Sequence, residues 1–166
     1  MTDTCEKLPP FGHDDLHGSA GPVDSGTGRQ ETSVRNATYE RGLAIRKDVL
    51  GAEFVERAIS TADDFNGPMQ DLVTEYCWGA VWGRDALDHK TRSLLNVAML
   101  SALNRPHELA MHVRGALRNG CTREEIREVL LQVAVYCGVP AAVDAFRTAR
   151  AALDEADSQD RDQDRP

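Results

Sequence analysis

The chain has 166 residues, enough for one domain, and a hydrophobic content of 41% is sufficient for a core. Its net charge of −8 is unevenly placed: residues 1–35 carry six acids and three bases, residues 154–166 six acids and two bases, and the body between is nearly neutral. That balance excludes sequence-independent nucleic-acid binding, which needs a basic surface, and no apolar run of about 18 residues exists to cross a membrane.

Residues 1–35 are rich in Gly, Pro, Ser, Thr and Asp and read as a disordered leader. His13 and His17 lie there as lone, solvated histidines. The start lacks the basic and then apolar pattern of a signal peptide, so a cytoplasmic protein is expected. Its four cysteines, at 5, 77, 121 and 137, form no C-x-x-C pair, which points away from a zinc cluster or a vicinal redox pair.

A helical domain is expected over residues 36–155. YERGLAIRKDVL forms a first helix closed by Gly51, and AEFVERAIS a second. NGPMQDLVTEYCWGAVWG follows, with Asn66 as N-cap and Pro68 in the first turn. DHKTRSLLNVAMLSALN starts at an Asp88 cap and is apolar on nearly every side, the pattern of a central, buried helix. RPHELAMHVRGALRNG runs from Pro106 to Gly120. Thr122 and Glu125 then form a capping box, Gly138 and Pro140 end that helix, and AAVDAFRTARAAL is the last. Residues 156–166 read as a disordered acidic tail. The expected fold is an all-α, single-domain bundle of about six or seven helices.

NRPHELAMHVRG, residues 104–115, holds two histidines five apart. On a helix they are rotated by about 140° and do not face one metal, whereas zinc-binding histidines on a helix usually sit four apart. Glu108 and His112 are four apart and share a face. The carboxylate favours the imidazolium, which makes His112 a proton donor near neutral pH; a plain exposed ion pair is the alternative. In EYCWGAVWGR, an α-helical period puts Glu75, Trp78, Gly79 and Trp82 on one face. A carboxyl between two indoles would be desolvated and raised toward a catalytic value, or the indoles are simply core. Arg92, at the start of the most apolar helix, needs an anionic partner: Glu75 or a substrate carboxylate.

The segment D-x-x-T-R-S-L, then H-x-x-G-A-L-x-N-G, E-E-I-x-E-V-L and Y-x-G-x-P-A-A, resembles the carboxymuconolactone decarboxylase family over about residues 38–153. The resemblance implies the all-α alkylhydroperoxidase-D fold and self-association, as a homohexamer or homotrimer. The family's redox branch has a C-x-x-C before the histidine matching His112; here Arg105 and Glu108 stand at those positions, so thiol peroxidase chemistry has no nucleophile there. Cys77, Cys121 and Cys137 are expected to be buried, small apolar residues.

The reaction that the resemblance implies is loss of CO2 from the anionic lactone 4-carboxymuconolactone, giving the 3-oxoadipate enol-lactone of protocatechuate breakdown. The electrons pass into the lactone carbonyl as a dienolate, so no cofactor and no metal are expected. His112 would deliver the proton, with Glu75 as the other acid and Glu108 as its tuner. Arg92, assisted by Arg84 or Arg105, would hold carboxylates, and Trp78 and Trp82 would wall the dienolate from water. The alternatives are a same-fold decarboxylase or isomerase acting on a different small lactone or natural-product intermediate, and a non-catalytic oligomeric binding protein.

Overall fold

The computed structural model describes residues 28–163; Cys5, His13 and His17 lie outside the described residues. In chain order the elements are α1 (Gly28–Leu50), α2 (Ala52–Ser60), α3 (Gly67–Leu72), a π-helix (Val73–Trp82), α4 (His89–Ala102), α5 (Pro106–Arg118), α6 (Arg123–Cys137) and α7 (Val139–Gln163). Among the described residues there is no strand, and the expected all-α class is the observed one.

Local signals set most boundaries. Asp88 caps α4 by accepting from the Thr91 amide at 2.7 Å. Thr122 and Glu125 form both hydrogen bonds of the capping box on α6. Gly120 and Gly138 take φ of +79° and +103°, which lets the chain turn out of α5 and α6. Asn66 does not cap; its side-chain oxygen accepts from the Asp63 amide and closes a turn instead. Both ends of the helical domain run further than composition indicates. Helix α1 starts at Gly28, and α7 continues to Gln163 through the acidic stretch read as a tail. Arg123 at the start of α6 pairs with Asp154 and Asp157, giving those acids a cation to fold against.

Two apolar cores form. One joins α4, α5, α6 and α7 through Val97, Leu109, Val113, Ile126, Leu130 and Ala149. The other joins α1, α2 and the π-helix through Val49, Val55, Trp78 and Trp82, with Met111 of α5 packed against it. Helix α5 is therefore the seam: Val113 belongs to one core and Met111 to the other.

Helix α4 is not buried on every side. Ser93, Val97 and Ser101 face inward, while Leu95, Met99 and Leu103 are 46%, 51% and 68% exposed. Leu95 and Met99 line an apolar groove of about 460 Å³ between α4 and α6, with Tyr136 and Cys137 opposite. The all-round apolar pattern is real, but neighbours within one chain cover one side only. The cysteines divide similarly: Cys121 is buried, and Cys77 and Cys137 are exposed. Cys77 precedes a buried tryptophan and turns outward, and Cys137 ends α6 on the groove.

Helix α1 crosses the π-helix at unusually short range. A Cβ on Gly42 would lie 2.1 Å from the Thr74 carbonyl oxygen, and one on Gly79 would lie 2.2 Å from that of Thr38. Two glycines supply the space that lets the backbones meet. Arg46 bridges the crossing, donating to Thr74 Oγ1 at 2.9 Å and Gln70 Oε1 at 2.8 Å. It is only 5% exposed, its Nε has no partner, and burial holds its pKa below the usual arginine value.

Candidate active site

The π-helix changes which residues share a face. Its amides reach back five residues, as in the 3.1 Å bond from Gly83 N to the Trp78 carbonyl. The buried stripe is therefore Thr74, Trp78, Gly79 and Trp82, with Thr74 where an α-helical period would put Glu75. The expected carboxyl between two indoles is not formed in that way: Glu75 is partly buried beside the stripe. The space beside Gly79 is taken by a neighbour, Thr38 of α1.

The wider turn brings the tryptophans together, with their planes tilted by 41°. The rings of Trp78 and Trp82 have centroids 4.7 Å apart. Each continues to a histidine: His112 lies parallel to Trp78 at 6.3 Å and 10°, and His89 lies 5.7 Å from Trp82. The result is a row of four rings, His112, Trp78, Trp82 and His89, contributed by α5, the π-helix and the start of α4.

His112 is partly buried at one end of the row. Its Nδ1 is 3.4 Å from the Asn96 amide nitrogen; with that amide as donor, the neutral ring carries its proton on Nε2. Burial lowers its pKa, and Glu108, one turn earlier, opposes that more weakly. This corrects the expectation that Glu108 makes His112 an imidazolium. Desolvation outweighs the neighbouring carboxylate, and the ring is held toward the neutral form until another anion arrives.

The other end opens into a cleft of about 400 Å³ lined by Arg41, Trp82, Arg84, Asp88 and His89, among others. Arg92 stands over the same loop, donating from Nε to the Leu87 carbonyl at 3.2 Å and from Nη2 to the Arg84 carbonyl at 3.1 Å. It pairs with neither Glu75 nor any other carboxylate among the described residues. It lies one helical turn before Asn96, about 6 Å along α4.

Of the residues singled out from sequence, the fold gathers His112, Trp78, Trp82, Arg84 and Arg92 along this row, with Glu108 within electrostatic reach of His112. Arg105 goes elsewhere: it precedes α5 and lines a shallow groove with Asn104, Asp144 and Thr148. His107 is exposed. Sequence reasoning passed over Asn96, His89 and Arg41. For Asn96 the signal was available, since it is the one polar residue within the apolar run from Leu94 to Leu100. Arg41 and His89 lie 48 positions apart and carried no local signal.

Residues 67–151 match the Carboxymuconolactone decarboxylase family. The chain is 47% identical over 108 residues to the nitrosuccinic acid decarboxylase of Metarhizium robertsii, covering 65% of this chain and 76% of that one. It is 40% identical over 111 residues to the 4-carboxymuconolactone decarboxylase of Acinetobacter baylyi, covering 67% and 83%. A shorter match, 37% over 41 residues, is to the 4-carboxymuconolactone decarboxylase of Pseudomonas putida, covering 25% and 85%. With an all-α fold, a histidine fixed on a tryptophan row and a match across half its length, the chain belongs to the carboxymuconolactone decarboxylase family.

Proposed function

We propose that the protein decarboxylates a small dicarboxylic acid whose departing carboxylate sits beside a built-in electron acceptor, with 4-carboxymuconolactone as one such substrate. The observation that carries this reading is His112, held on Trp78 with Nδ1 at Asn96, in a row that ends among arginines without carboxylate partners among the described residues. The two named relatives support the class: one acts on a lactone diacid and the other on nitrosuccinic acid. In both acids the carbon–carboxylate bond can break with its electron pair passing to an oxygen, of a lactone carbonyl or of a nitro group.

The residues divide the work. Arginine holds carboxylates through two parallel N–H donors, and the substrate's charge, in a site where burial disfavours the imidazolium, raises the pKa of His112 and brings a proton onto it. As CO2 leaves, the dienolate or nitronate carbon takes that proton from His112, and solvent restores it. Trp78 and Trp82 keep water from the anion. Glu75, partly buried on the π-helix, is the second candidate acid.

The test supplies 4-carboxymuconolactone and nitrosuccinate separately and measures CO2 release. Turnover of at least one is expected, with a loss of about a hundredfold or more in His112→Ala. Glu75→Gln beside it separates the two acids. Release of CO2 from neither acid by the parent protein defeats the reading. The nitrosuccinate arm is favoured by the 47% identity to the fungal enzyme, and the same donor serves a nitronate equally well.

A further inference from the structure

The cleft at the His89 end of the ring row is built from parts that the proton chemistry does not use. It draws Arg41 from α1, Trp82 and Gly83 from the end of the π-helix, Arg84 from the loop, and His89 from the first turn of α4. Neither Arg41 nor Arg84 pairs with a carboxylate among the described residues, whereas Lys90, Arg114 and Arg123 all do. Arg41 donates one N–H to the Gly79 carbonyl at 2.9 Å, which fixes its guanidinium and leaves its other donors without a partner among the described residues. The Arg84 side chain makes no hydrogen bond among the described residues. Asp85 and Asp88 also line the cleft, but Asp88 is committed to the Thr91 amide. With Arg92 over the loop, three guanidiniums stand against two carboxylates.

Gly83 gives this arrangement a specific requirement. Its φ is −75°, a conformation open to any residue, so the reason for glycine there is space. A Cβ would lie 2.7 Å from Arg41 Nε and 2.5 Å from the Gly79 carbonyl oxygen, the same oxygen that Arg41 binds. Any side chain at 83 drives Arg41 off its anchor.

We infer that this cleft is a carboxylate-binding subsite for the end of a small dicarboxylic acid that is retained, with Arg41 and Arg84 as the binding pair, His89 as a further donor, and Gly83 as the residue that admits Arg41. The inference rests on the decarboxylase reading for its substrate class. The dimensions agree with it: α4 separates His89 from Asn96, the partner of His112, by two turns, about 10 Å along the axis. An extended four-carbon diacid with a hydrogen bond at each end spans that length.

The test uses the full chain and succinate, a dicarboxylate that offers no electron acceptor for decarboxylation, with butyrate as its one-carboxylate counterpart. Titration calorimetry is expected to show succinate binding and much weaker butyrate binding. Arg41→Gln and Arg84→Gln should each weaken succinate by about tenfold or more, the loss of a charged hydrogen bond. Gly83→Ala should reproduce the Arg41→Gln loss, and Arg147→Gln, whose arginine pairs with Asp144 on the far surface, should bind as the parent does. Succinate affinity unchanged in both cleft-arginine variants, or no succinate binding by the parent, overturns the subsite whatever CO2 release shows. Succinate binding that depends on both arginines, in a protein that releases CO2 from neither diacid, upholds the subsite and fails the decarboxylase reading alone.

Discussion

Replacing Gly79 by alanine adds one methyl group where α1 and the π-helix are closest. The new Cβ would stand 2.2 Å from the Thr38 carbonyl oxygen and 2.8 Å from Thr38 Cγ2. The obstacle is backbone, which cannot swing aside as a long side chain does, so the helices must part by roughly 1 Å to restore ordinary contact. Alanine's helix propensity returns at most about 1 kcal/mol. Against it stand an overpacking cost of about 1–3 kcal/mol and weakened hydrogen bonds from Arg41 to Gly79 and from Arg46 to Thr74, about 1.5–3 kcal/mol each if lost. The expected net destabilisation is about 3 kcal/mol, or a fall in Tm of about 6–12 °C for a chain of this size. Far-UV circular dichroism during heating measures it, and the near-UV spectrum reads the Trp78–Trp82 coupling. Gly120→Ala is the control: nothing lies within 4 Å of its Cβ, and only its φ of +79° resists, a cost of about 1–2 kcal/mol. A Gly79→Ala protein melting within about 2 °C of the parent, with an unchanged near-UV spectrum, refutes the close-crossing argument.

Four further outcomes follow from the same geometry. Since burial lowers the pKa of His112, its neutral form favours the fold; stability should fall as pH drops through the ordinary histidine value near 6.5, and His112→Gln should flatten that dependence in denaturant titrations. An anionic ligand reverses the shift, so succinate binding near pH 7 should take up protons, seen as a buffer-dependent enthalpy that His112→Ala abolishes. Thr74→Val strands one donor of a buried cation and should cost about 1–3 kcal/mol, while Arg46→Met removes the charge altogether and should cost less or stabilise; the opposite order in urea melts refutes the account of Arg46. Self-association through the open face of α4 should be lost in Met99→Glu, which sedimentation velocity tests against a parent running as more than one copy.

The elements with chemistry at their ends were legible in the sequence: Asp88, the Thr122–Glu125 box, and the turn glycines at 120 and 138 each act through neighbours a few residues away. The π-helix was not legible: it packs through Gly42 on Thr74 and Gly79 on Thr38, contacts between distant segments that no local pattern announces. Its hydrogen-bond shift alone moved Glu75 out of the tryptophan stripe. His112 was found by spacing and resemblance, but its charge state was misread, since Glu108 is visible in sequence and burial is not. The position of Arg92 calls for an anionic partner, Glu75 or a substrate carboxylate, yet two of its donors hold the loop carbonyls of Arg84 and Leu87. The exposed side of α4 shows the converse: apolar residues stand on more sides of the helix than this chain covers.

The ring row also gives the protein a built-in optical reporter. Trp78 and Trp82 are its two tryptophans, and each stands against one of the two histidines in the row. Imidazolium quenches indole emission far better than neutral imidazole does. The whole tryptophan fluorescence therefore originates between His112 and His89, and a proton arriving at His112 is readable as a change in brightness without any label.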